Sequence, residues 1–130
     1  MNVIMEEMFK SFDFCEKPEK RISEVKGMPL PADYLAFMWE HNGGEGPLGE
    51  NNYGRFYRLE ELEAIQDAYD VQKNWPGYTV IGGVDDALWA YSPSRKIFCQ
   101  IDSGNTAEDT YYTISDSFEE FLTKMDEELA

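Results

Sequence analysis

The side chains able to do chemistry are few and scattered. The one histidine, His41, adjoins Asn42-Gly43-Gly44. An imidazole there can serve as a general base, but no Ser or Cys nucleophile is identifiably paired with it. Its simpler reading is a surface or helix-terminal histidine. Gly43-Gly44-Glu45-Gly46 is glycine-rich, yet it has no phosphate-loop lysine spacing and no GxGxxG following a strand. These glycines read as a turn. Asp85-Asp86 can ligate a cation, and Asp102-Ser103-Gly104-Asn105 can mimic a calcium loop. Neither has alternating oxygen ligands closing on a glutamate, and the same residue types make ordinary turns. Glu119-Glu120 and Glu127-Glu128 are sequence neighbours, which do not face each other on a helix, so they read as a solvated face. Cys15 and Cys99 form no CxxC or Cys/His spacing. No catalytic constellation, metal site or cofactor is expected from these residues.

Charge says more. Asp and Glu number 26 against 11 Lys and Arg, a formal net charge of -15. A polyanion without a basic stripe repels phosphates, which disfavours direct nucleic-acid binding and anionic membrane surfaces. A basic protein partner would be attracted and steered, although plain solubility also explains the charge. The N-terminus has no basic region followed by an apolar stretch, and no window has the length of a membrane span. The expected location is the cytoplasm, with reduced thiols.

Elements must position whatever surface does the work. The 130 residues are the size of one domain, and at 42% hydrophobic and 15% aromatic they can build a core. Met5, Met8, Phe9 and Phe12 recur at helical spacing. A charged linker runs from Glu16 to Lys26. Pro31 suits the first position of a helix carrying Tyr34, Leu35, Phe37 and Met38, which Asn42-Gly43-Gly44 stops. Glu45 to Gly54 reads as a long loop, followed by a short strand over Arg55 to Arg58. Leu59, Leu62, Ile65 and Tyr69 mark a helix closed by Trp75-Pro76-Gly77. Tyr78 to Gly82, Ala87 to Tyr91 and Lys96 to Ile101 read as an antiparallel meander, with a further short strand at Tyr111 to Thr113. Ser115 or Asp116 caps a final helix whose apolar face is Ile114, Phe118, Phe121, Leu122, Met125 and Leu129. The expected fold is α+β, a single domain over residues 1–130: a central antiparallel sheet flanked by helices, ending in an amphipathic helix. Trp89 and Cys99 read as core. Trp75, beside Pro76 and Gly77, reads either as core or as a partly exposed anchor for a partner.

The ordered motifs Leu30-Pro31-Ala32-Asp33-Tyr34, Asn42-Gly43-Gly44-Glu45-Gly46, Leu59-Glu60-Glu61-Leu62, Val80-Ile81-Gly82-Gly83, Leu88-Trp89-Ala90-Tyr91 and Ser117-Phe118-Glu119-Glu120-Phe121-Leu122 together resemble the SUKH superfamily. That superfamily includes the yeast Smi/Knr cell-wall assembly regulators and bacterial immunity proteins. The resemblance spans roughly residues 20 to 129. It departs at Gly82-Gly83-Val84-Asp85-Asp86-Ala87, which has fewer glycines than many relatives. The resemblance implies a non-enzymatic domain that binds a protein, commonly a toxin and often a nuclease, whose basic cleft an acidic protein can occupy. The candidate partner-binding residues are Glu45, Glu50, Tyr53, Trp75, Asp85 and Asp86. An intracellular regulatory or scaffold domain, and a small hydrolase or metal-dependent enzyme, are the alternatives.

Overall fold

The computed structural model describes residues 2–84, 87–102 and 111–129. Its elements run α1 (Val3–Met8), β1 (Asp13–Phe14), β2 (Glu24–Val25), β3 (Met28–Pro29), α2 (Ala32–His41), β4 (Gly44–Leu48) and β5 (Asn52–Phe56). A 3-10 turn (Leu59–Glu61) leads into α3 (Leu62–Ala68) and α4 (Val71–Asn74). Then follow β6 (Thr79–Val84), β7 (Ala87–Ser92), β8 (Ile97–Asp102), β9 (Tyr111–Ser115) and α5 (Phe118–Glu128). Among the described residues seven strands pair antiparallel in the order β1-β4-β5-β6-β7-β8-β9, and β2 with β3 forms a separate hairpin. This is the expected α+β architecture.

Alternation along the strands divides the apolar side chains between two faces. On one face Leu48, Phe56, Trp89 and Phe98 pack against Met5 and Met8 of α1, Tyr34, Phe37 and Met38 of α2, and the apolar stripe of α5. Phe118, Phe121, Leu122 and Met125 of α5 are each at most 1% exposed. Burying a side chain of this size contributes roughly 1.5–3 kcal/mol, so this helix is held by its stripe. Ser117 caps it, its side chain accepting from the Glu120 N–H. On the opposite face Val80, Leu88, Ala90, Cys99 and Ile101 are covered by Val71, Trp75 and Tyr78. The helices there end before β4 and β5. Glu45 and Pro47 of β4, and Tyr53 and Arg55 of β5, are therefore exposed on a sheet face over which no described residues form a layer.

Several expectations are corrected. The stretch from Glu45 to Gly54 is a hairpin of two strands, not a loop. Its glycines sit where backbones and rings come too close for a Cβ: one at Gly44 would lie 2.2 Å from the Asp13 carbonyl oxygen, and one at Gly54 2.1 Å from the Trp89 ring. The charged linker ends in strand β2, the first arm of the β2–β3 hairpin, which turns at Lys26 and Gly27, both at positive φ. Helix α1 stops at Met8, although Phe9 and Phe12 complete the buried set. Pro31 is the residue before α2, in extended conformation, rather than its first helical residue. The helix after Leu59 is broken at Asp70, which adopts the left-handed conformation at φ 47°. Ile114 belongs to β9 and Leu129 ends α5. Both are exposed, so neither joins the buried stripe. Ser117, not Ser115 or Asp116, is the cap. Trp75 is 2% exposed within the second core and presents no anchor on the surface.

Candidate functional site

The uncovered part of the sheet is a shallow groove of about 360 Å³, lined by Glu45, Tyr53, Arg55, Tyr57, Tyr69 and Gly83 among others. Strand register puts these residues side by side. Glu45 lies opposite Arg55, Arg55 opposite Gly83, and Pro47 opposite Tyr53. Residues directly opposite in an antiparallel pair project to the same face. Tyr53, Arg55 and Tyr57 alternate along the chain and so also share that face. Tyr69, at the end of α3, forms the far wall.

Arg55, Tyr57 and Tyr69 make the middle of the groove. The Arg55 guanidinium lies 5.8 Å from the centre of the Tyr57 ring, within cation–π range. Burial, with Tyr69 beside it, pushes the Tyr57 hydroxyl up to about 12. It therefore remains a neutral donor at physiological pH. Arg55 leans on Tyr57 instead of pairing with Glu45, and among the described residues neither charge has an ion-pair partner. On the other side of Glu45 stands Asp13, its direct cross-strand neighbour on β1. Like charges placed opposite one another destabilise a sheet. The arrangement therefore leaves carboxylates and a guanidinium available to an incoming molecule, beside Tyr53 at 53% exposure.

The predicted site residues divide. Glu45 and Tyr53 meet in the groove. Glu50 is exposed in the β4–β5 turn and lines a different cavity, with Val3, Ile4 and Lys10. Trp75 is core. Asp85 and Asp86 lie outside the described residues, as does most of the stretch from Asp102 to Asn105. Sequence reasoning missed Arg55, Tyr57 and Tyr69. The signal for the first two was the alternation Tyr53-x-Arg55-x-Tyr57, which a strand starting at Asn52 turns to one face.

The other chemistry-bearing residues serve the fold. His41 ends α2 and stacks on Phe14 with centroids 4.0 Å apart, and burial lowers its pKa. Asn42 adopts the left-handed conformation, accepts from the Leu59 N–H at 2.9 Å and donates to both carboxylate oxygens of Glu60. Asp33 accepts from the Tyr34 N–H with one oxygen and from the Phe118 N–H with the other, tying the starts of α2 and α5 together. Burial raises the Cys99 thiol to about 12. Among the described residues no group of three His, Cys, Asp or Glu side chains could hold a metal ion, and no helix is long and apolar enough to cross a membrane.

A family model described as the SMI1 / KNR4 family (SUKH-1) matches residues 19–124. That span contains every residue named above as lining the groove; Asp13, the cross-strand neighbour of Glu45, lies before it. A search of curated proteins gave no match to the chain.

Proposed function

Because the chain belongs to the SMI1 / KNR4 family (SUKH-1), we propose that residues 1–130 act as one non-enzymatic protein-binding domain, an immunity protein that neutralises a basic toxin domain, such as a nuclease, by occupying its cleft. The family is generally non-enzymatic, and its domains interact with proteins. The observation that carries the reading is the open sheet groove, where Tyr53, Arg55, Tyr57 and Tyr69 converge on one exposed face. Tyr and Arg dominate the binding energy of protein interfaces, because each offers a large contact area and a polar tip. The net charge of -15 supports the basic character of the partner, since such a field draws in cationic surfaces and repels anionic ones.

The test is co-expression with the product of the flanking gene, which on this reading is the toxin. Cells should survive the toxin, and the purified pair should bind with an affinity that falls as salt rises. Tyr53→Ala should weaken the complex by about tenfold or more, as loss of a central tyrosine does. His41→Ala should protect cells as well as the parent does. Absence of both rescue and complex would instead favour a regulatory or scaffold domain with a different partner.

A further inference from the structure

The groove presents charges in a fixed order across neighbouring strands. Asp13 on β1 faces Glu45 on β4, and Glu45 faces Arg55 on β5. The row reads minus, minus, plus, in steps of about 4.8 Å per strand. It ends at Gly83 on β6, the partner of Arg55, which adds no side chain. Arg55 does not neutralise Glu45, because it is drawn over the Tyr57 ring on the other side. The molecule thus keeps one cation at the middle of the groove, on a surface where Asp and Glu outnumber Lys and Arg by 26 to 11.

That cation works against the overall field. A net charge of -15 attracts any basic surface without choosing among them. A uniformly basic segment entering the groove would be pulled in by Asp13 and Glu45 and repelled by Arg55. Discrimination between partners commonly rests on such a repulsive element as well as on attraction. Building on the groove reading above, we propose that the groove selects a partner segment of mixed charge: lysine or arginine against Asp13 and Glu45, followed by aspartate or glutamate against Arg55. The partner is then a basic protein with a carboxylate embedded in its contact surface. Net charge sets how fast it arrives, and the Arg55 position sets which basic protein stays.

Two short synthetic peptides test this by NMR titration of the isotope-labelled protein, one carrying lysines followed by aspartates and one carrying lysines alone. The mixed peptide should shift the backbone amides of Glu45, Arg55 and Gly83 saturably, and bind about tenfold tighter than the all-lysine peptide. Arg55→Glu should reverse that preference, and Arg55→Gln should abolish it. Both variants change an exposed side chain, and a dispersed amide spectrum verifies their fold. If the all-lysine peptide shifts the same amides as tightly, and Arg55→Gln changes nothing, the charge order is overturned while the groove remains a binding site. If neither peptide moves the groove amides, the inference and the groove reading fall together.

Discussion

At Asn42 a single side chain joins two elements. The residue is 2% exposed, and its left-handed backbone turns the chain out of α2 into β4. Its side chain supplies the acceptor for the Leu59 N–H, which would otherwise be buried without a partner. Asn42→Ala removes that acceptor and places a Cβ-bearing residue less suited to φ 52°. The variant should lose roughly 1–3 kcal/mol in urea unfolding, the cost of leaving a buried donor unsatisfied. Asn42→Gly should lose less, because glycine accepts the conformation freely. An equal loss in both would mean that the backbone contributes nothing. His41, one residue earlier, makes a pH-dependent contribution. Burial holds its pKa below the ordinary 6.5, so below pH 6.5 the unfolded chain takes up a proton that the native imidazole resists. This stabilising contribution is complete above pH 6.5 and is lost as pH falls through the depressed native value. His41→Phe should keep the stack on Phe14 and remove that part of the pH dependence. As acid is added through pH 6.5, the unfolding midpoint of the parent should therefore fall relative to that of the variant. Parallel curves would show that His41 titrates as it does in the unfolded chain.

The β4–β5 hairpin is the element that makes the groove, and it was the hardest to read in the sequence. The meander β6–β8 shows apolar strands between turn residues, and α5 shows a helical stripe, so both were legible from local pattern. In β4 and β5 the outward positions carry Glu45, Pro47, Tyr53 and Arg55, while three inward positions are glycine. Glycine carries no strand signal. The reasons for it are Asp13 and Trp89, which come from distant parts of the chain. Pro47 adds to the concealment, but it lies beyond the two residues paired with β1, where β4 is an edge strand that tolerates proline. For the same reason Glu45 and Tyr53 could be named from sequence, whereas their convergence with Arg55, Tyr57 and Tyr69 could not. Helix α5 clasps the far end of this hairpin. The Asn51 N–H donates to the Asp126 carboxylate at 2.7 Å, and the Asn51 side chain donates to the Asp126 carbonyl. Asp126→Ala should cost about 0.5–1.5 kcal/mol, the net worth of such a bond, and speed amide hydrogen exchange at Asn51 and Tyr53 more than in β7 or β8. Uniformly faster exchange would show that the clasp supports the whole sheet and not the hairpin alone.

For the molecule as a whole, the charge proposed to recruit a basic partner also strains the fold. At a net charge of -15 the folded chain crowds carboxylates that the unfolded chain would spread apart. The attractive pairs among the described residues do little to offset this. Lys10–Glu7, Lys26–Asp67, Arg58–Glu60 and Arg58–Glu61 all join exposed side chains, where water and salt screen the attraction. Apolar burial on the two sheet faces must carry the stability, and burial is insensitive to modest salt. Raising ionic strength from about 0.01 M to about 0.15 M shortens the screening length from roughly 30 Å to roughly 8 Å. Long-range repulsion between scattered carboxylates is then removed, while contacts as short as Lys26–Asp67 at 2.6 Å are less affected. The free protein should therefore gain about 1 kcal/mol, or roughly 4 °C in Tm, over that range. The same change should slow association with a basic partner, because the field that steers it is screened. Opposite signs for these two responses are what one shared field requires. A Tm that falls with added sodium chloride would mean that favourable ion pairs outweigh the repulsion. The acidic surface would then be a stabilising network, and its role in drawing in a basic partner would lose its physical basis.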